Sequence, residues 1–477
     1  MKHPTPAARP AVSLCRVSAP HDGNTDLSSL DDIVKAYDIR GVYPEQIDAG
    51  VCRALGVGFA TFVREAEPRS TSVVVGRDMR PSGPELVGAF AAGVRSQGLD
   101  VVDIGLCSTD MMYFASGSLD MPGAVFTASH NPARYNGIKL CRSGAAPIGE
   151  DTGLDVIKRV AASGPAVGPA TGSRSERDLL REFATHVRGF IDTEGLRPLK
   201  VVADTANGMG GLVVPAVFEG LPFELEVMYP ELDGTFPNHE ANPIQVENLA
   251  DLRARVLETG ADIGLAFDGD ADRVFFVDER AEPVSGSLTT ALLARSILAA
   301  DPGATVIYNL ICSKVVPEVI TESGGTPLRC RVGHSFIKQH MAETGAAFGG
   351  EHSAHYYFRD NYRADSGLIA SVMVLEQLAR FDGPLSELLA PLRRYAASGE
   401  INTVVSDAAA VIDHVAAHYP EAGSDRLDGL TVDHGDWWFN LRPSNTEPLL
   451  RLNLEAGTPE EVERRVAEVQ AVMAEVG

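Results

Sequence analysis

The chain holds 477 residues, 44% of them apolar and 22% charged, which are ordinary globular proportions; its length predicts about three domains, with roughly two to four compatible. Its 41 Lys and Arg against 65 Asp and Glu give a net charge of −24. That balance argues against broad nucleic-acid binding, which needs a basic face, and it requires any phosphate site to gather cations locally.

Residues 1–28 carry Arg16 and several prolines where a secretory signal needs an unbroken apolar run, so a disordered tail is expected there. No uncharged apolar run reaches the roughly 18 residues of a membrane span. The six cysteines are thinly spread and form no CxxC pair, which suits a reduced, cytoplasmic protein. Cys330 and His334 make half a zinc set at most, with no second ligand pair.

From there apolar strands alternate with amphipathic stretches. Strands are expected at 72–75, 124–127, 200–203, 262–267 and 305–309, and helices at 85–96 and 178–191. Strand and helix in alternation predict α/β layers with mainly parallel sheets. Composition breaks near 161–175, 281–287 and 396–400 predict four units: 29–173, 174–282, 283–395 and a smaller α+β unit, 396–477. In the last, alternation over 448–455 precedes a helix with Thr458 as N-cap, Pro459 at N1 and Glu460 and Glu461 in the first turn. Valines 462, 466, 469, 472 and 476 mark one helical face.

Four segments carry chemistry. After an apolar strand, Asp268, Asp270 and Asp272 alternate with small residues before Arg273, so the three carboxylates can converge on one hard cation. A solvated acidic turn is the plain alternative; an EF-hand fails because Arg273 stands where its glycine is required. Thr127-Ala128-Ser129-His130-Asn131-Pro132 places a serine at an exposed strand-to-turn junction, as a nucleophile or as a hydrogen-bonding turn residue. Glu351, Ser353 and His355 face one side if their segment is extended, and suit hydroxyl groups or a buried polar network. Arg442, Ser444, Asn445 and Thr446 in one loop can cradle an anion or form an ordinary turn. The glycines of Gly208-Met209-Gly210-Gly211 lack dinucleotide-binding spacing and read as a strand-to-helix turn.

Together these segments, in this order from about residue 30 onward, resemble the α-D-phosphohexomutase family, closest to its bacterial phosphomannomutases and phosphoglucomutases. The resemblance implies a heart-shaped arrangement of three α/β domains with mixed sheets and a smaller C-terminal α+β domain. They would carry, in order, the phosphoserine, metal, sugar and phosphate loops. It implies Ser129 as a phosphoserine and metal ligand, Asp268, Asp270 and Asp272 as Mg²⁺ ligands, and Arg40, Lys139 and His334 at the reaction centre. Arg273, Glu351, Ser353, His355, Arg442, Ser444, Asn445 and Thr446 would bind substrate. The expected reaction interconverts mannose 6-phosphate and mannose 1-phosphate through a hexose 1,6-bisphosphate. Phosphoglucomutase or dual activity is the alternative, because glucose and mannose differ only at C2. The segment GEHSAHYYF is similar to phosphomannomutases of high-GC Gram-positive bacteria, where dual-specificity relatives often show GEMSGH. The partners implied are hexose phosphates alone, without nucleic acid or membrane, in a monomer or small homo-oligomer.

Overall fold

The computed structural model describes residues 30–35, 37–164, 169, 171–420, 422–443 and 449–476. The expected N-terminal tail lies outside them. Four sheets follow one another along the chain.

The first is a mixed sheet. Ser72–Arg77 lies at its centre, parallel to Asp100–Leu106 on one side and Gly123–Phe126 on the other. Tyr135–Arg142 and Ile39–Val42 extend it antiparallel. Val73, Val74 and Val75 are fully buried, as a central strand covered on both faces requires. Helices Ala49–Ala66 and Gly83–Ser96 cover one face, and Thr109–Leu119 lies on the other. Ser108 caps the last of these by accepting from Met111 N.

The second sheet runs Pro283–Val284, Val274–Asp278, Ile263–Phe267, Leu199–Asp204, Phe223–Met228. The third runs Thr326–Cys330, Thr305–Asn309, Phe348–Gly350, Tyr356–Phe358. The fourth is wholly antiparallel: Ala396–Val404, Leu449–Ala456, Trp438–Pro443, Leu430–Asp433, Gly423–Asp425. Two short strands lie at the joins between units. Arg174–Glu176 adds to the first sheet beyond residue 173, and Pro283–Val284 closes the second beyond residue 282.

One apolar cluster runs continuously through the second and third units and under the inner face of the first. The fourth unit has its own core. It meets the third unit through polar contacts: Lys314 Nζ to Asp433 Oδ1 at 2.7 Å, Lys314 N to Glu455 Oε1 at 2.9 Å and Arg329 Nη2 to Thr431 Oγ1 at 2.9 Å. Its final helix, Pro459–Ala474, starts as the sequence predicts, with Thr458 accepting from Glu461 N. The valine stripe stops short, because Val476 lies past the helix end and is 44% exposed. Among the described residues no helix is long and apolar enough to cross a membrane.

Candidate active site

Ser129 follows the strand Gly123–Phe126 in a left-handed conformation, φ 49°. It is not exposed as the sequence suggested: 5% of it is accessible, because the second unit covers the turn. The turn is organised by Arg80, which is fully buried. The guanidinium donates to the carbonyls of Ser129 (2.9 Å), Asn131 (2.7 Å), Pro132 (2.9 Å) and Tyr135 (2.9 Å), and to Asp78 Oδ2 at 3.1 Å. All five of its N–H groups are thereby used.

Asp268, Asp270 and Asp272 sit in the turn that joins the antiparallel strands Ile263–Phe267 and Val274–Asp278. One oxygen from each carboxylate lies within 4.8 Å of the others. Ser129 Oγ donates to Asp268 Oδ2 at 2.8 Å, although the two residues are 139 apart in sequence. The units touch here through backbone. A Cβ on Gly269 would lie 2.5 Å from the Ser129 carbonyl oxygen, so only glycine fits. The Gly208 turn supports this contact from beneath: Met209 N donates to Gly269 O at 2.9 Å, and a Cβ on Gly208 would lie 2.7 Å from that oxygen.

Cations surround the carboxylates. Lys139 Nζ lies 2.9 Å from Asp270 Oδ2 and 2.6 Å from Asp272 Oδ2. Burial works against its charge, yet the two aspartates hold its pKa well above the ordinary lysine value. Arg273 Nη2 lies 2.9 Å from Asp268 Oδ2 and donates to His130 Nδ1 at 2.5 Å. Burial, reinforced by Arg273, therefore keeps His130 neutral. Burial pushes Asp268 up to about 7. It also opposes the charge on Asp270, but Lys139 and the Thr109 hydroxyl, 2.6 Å away, hold that carboxyl below the usual range. Asp270 Oδ1 and Asp272 Oδ1 are buried without a hydrogen-bond partner. Two such oxygens in an all-oxygen cluster fit a hard metal cation. Arg40 stands beside the serine turn, donating to Asn131 Oδ1 at 2.7 Å and Asp38 Oδ2 at 2.6 Å.

The 351–355 segment is not extended. It is a turn with Ala354 at φ 64°, closed by Ala354 N donating to Glu351 O at 3.1 Å. Glu351 therefore points inward, 2% exposed, and accepts from Tyr357 OH at 2.6 Å and Asn309 Nδ2 at 3.1 Å. Ser353 is half-buried in the same turn. His355 Nδ1 lies 2.9 Å from Asp365 Oδ2 and 4.0 Å from Asp272 Oδ1, so the third unit reaches the carboxylate turn. Burial opposes charge on His355, but Asp272 and Asp365 raise its pKa. Lys338 Nζ lies 2.9 Å from Asp365 Oδ1.

Arg442 is the penultimate residue of the strand Trp438–Pro443 in the fourth unit, with Nη2 3.0 Å from Glu400 Oε2. Ser444, Asn445, Thr446 and the His334 side chain lie outside the described residues. The sequence reading missed Arg80, Thr109, Asn309 and Asp365.

The chain matches the family description "Phosphoglucomutase/phosphomannomutase, alpha/beta/alpha domain I" over residues 31–165. Domain II matches over 181–282, domain III over 285–395 and the C-terminal domain over 400–472. It is 41% identical over 445 residues to the "Phosphohexose mutases" of Xanthomonas campestris pv. campestris, covering 92% of this chain and 98% of that one. It is 41% identical over 434 residues to a phosphomannomutase of Salmonella typhimurium, covering 88% and 94%. A crystal structure of a phosphoglucomutase/phosphomannomutase family protein from Burkholderia thailandensis superposes with TM-score 0.85 at 36% identity, covering 92% of this chain and 96% of that one.

Proposed function

The chain belongs to the phosphoglucomutase/phosphomannomutase family, and on that basis we propose that it is a phosphomannomutase, an isomerase interconverting mannose 6-phosphate and mannose 1-phosphate. The observation that carries the residue assignment is the 2.8 Å contact between Ser129 Oγ and the three-aspartate turn.

By this reading Ser129 is phosphorylated on Oγ. The Oγ–P bond breaks as a bond forms from phosphorus to the free hydroxyl of a bound hexose monophosphate, and the hydroxyl proton passes to a base. The 1,6-bisphosphate reorients, its other sugar O–P bond breaks as that phosphoryl group bonds to Oγ, and the sugar oxygen so released takes the proton back from the base. A phosphoserine adds about −1.5 to −2 to three carboxylates, so the site needs fixed positive charge. Lys139 and Arg273 supply it on the carboxylates, and Arg40 stands beside the serine turn. Lys139 and His334 are the two candidates for the group that takes the hydroxyl proton. Mg²⁺ suits the donor set of Asp268, Asp270, Asp272 and the Ser129 phosphate, and when bound it would offset charge on the transferring group. Glu351, Ser353 and His355 would orient the sugar hydroxyls; Arg442, with Ser444, Asn445 and Thr446, would hold the phosphate that is not reacting. One fixed holder serves both orientations of the bisphosphate.

Peptide mapping of the purified protein should find phosphate on Ser129. Ser129→Ala should abolish turnover while costing only about 1 kcal/mol of stability, because Asp268 keeps its Arg273 partner. Near-wild-type mutase rates in that variant would overturn the assignment. A kcat/KM higher on glucose 1-phosphate than on mannose 1-phosphate would overturn the substrate alone.

A further inference from the structure

The two carboxylate oxygens of Asp270 have different surroundings. The hydrogen bonds to Oδ2 all come from the first unit: Thr109 Oγ1 donates at 2.6 Å, Lys139 Nζ at 2.9 Å and Thr127 Oγ1 at 3.3 Å. Oδ1 is buried and has no hydrogen-bond partner. A buried carboxylate oxygen left unmet is costly unless a cation reaches it. The donors on Oδ2 thus decide which oxygen is left for an ion. Thr109 holds Asp270 by two routes. It is the first residue of the helix Thr109–Leu119, so its N–H has no acceptor within the helix. That N–H donates to Asp270 O at 3.0 Å, while the hydroxyl donates to the carboxylate of the same residue, 161 positions away in sequence. Thr109 is fully buried, so water cannot take its place. Thr127 ties the same oxygen to the serine turn, because its Oγ1 accepts from Ser129 N at 2.9 Å.

We propose that Thr109 is a positioning residue of the metal site: its hydroxyl holds Asp270 Oδ2 and so leaves Oδ1 for a divalent cation. The inference rests on the reading of the three aspartates as an Mg²⁺ site. Lys139 balances charge, but it is shared with Asp272 Oδ2 at 2.6 Å and sits on a long stem. The Thr109 hydroxyl is the shorter contact, on a β-branched side chain with few rotamers, at a helix start fixed by the Ser108 cap. Groups that orient a metal ligand in this way are typically worth about 10–100-fold in metal affinity.

Calorimetric titration of the full chain with MgCl₂ alone, beside steady-state rates on mannose 1-phosphate across Mg²⁺ concentration, tests this on Thr109→Val, Thr109→Ser and Asp270→Ala. Valine keeps the shape of threonine and removes the donor. Thr109→Val should raise the Mg²⁺ Kd about ten-fold or more, and raise the Mg²⁺ concentration for half-maximal rate by the same factor. The kcat at saturating Mg²⁺ and the KM for the sugar phosphate should change far less. Thr109→Ser, which keeps the hydroxyl, should recover most of the affinity. A merely structural role predicts a loss of rate that added Mg²⁺ does not restore, and that result would overturn the proposal. If Thr109→Val does not fold, Thr109→Ala decides, since it removes the hydroxyl without setting a methyl against the carboxylate. A rise in Kd below about three-fold in a folded variant, or Thr109→Ser as weak as Thr109→Val, overturns the proposal while Asp270→Ala still loses Mg²⁺ binding. If Asp270→Ala binds Mg²⁺ as the wild type does, the metal-site reading falls with it.

Discussion

Asp110 is a single carboxyl on which two units meet. It accepts from Ser108 Oγ and, at 2.7 Å, from Ser366 Oγ, and these serines cap the helices Thr109–Leu119 and Gly367–Arg380. Burial pushes its pKa up to about 7. An unfolded aspartate titrates near 3.9, so between about pH 4 and 7 the folded protein keeps a proton that the unfolded chain has released. The stabilisation from this group is fully present below about pH 4 and is lost as pH rises through about 7. The loss is up to about 4 kcal/mol, from about three units at 1.36 kcal/mol each. Urea unfolding should therefore show Asp110→Asn gaining on wild type between pH 5 and pH 8. A difference that stays constant with pH would show that the carboxyl is charged throughout.

At the scale of elements, the local signals were legible and the long-range ones were not. The serine turn and the aspartate turn stand out because each packs its chemistry into a few consecutive residues after an apolar strand. The Thr458 cap reads the same way. Arg80 did not stand out, because the carbonyls it holds come from residues 49–55 positions further on. Whether the 351–355 segment is extended stayed open in the sequence, because nothing in its composition marks the left-handed Ala354 that closes it as a turn. The glycine group at 208–211 read correctly as a turn, but its purpose, support of Gly269, depends on a second turn about sixty residues later. Gly269→Ala tests that support. Its methyl would press on the Ser129 carbonyl and separate the two turns. Stability should fall by about 1–3 kcal/mol, as in other overpacked sites, with a larger proportional loss of turnover. Thermal unfolding and steady-state rates measure both, and an unaltered rate would mean that the contact does not set the site.

For the molecule as a whole, the distribution of cores sets what can move. The first three units share packed apolar surface, whereas the fourth has a separate core and a polar junction. Polar junctions between separately packed units permit rigid-body motion. Saturating hexose phosphate should draw the Arg442 strand toward the Ser129 turn and lower the radius of gyration in solution scattering. A curve unchanged by ligand would count against a large movement. With a net charge of −24, the proposed phosphate-binding loops would depend on the few cations gathered around them, and phosphate binding should weaken as salt rises.

The touching backbones of Ser129 and Gly269 have a consequence for how such a chain can be recombined. The serine turn and the acidic turn belong to different units but share one van der Waals seam, tuned to the absence of a single methyl group. A chimaera that took either unit alone from a relative would have to recreate that fit by chance. One that transplanted both together would inherit it intact, while the C-terminal unit, joined through polar contacts, is the natural module to exchange.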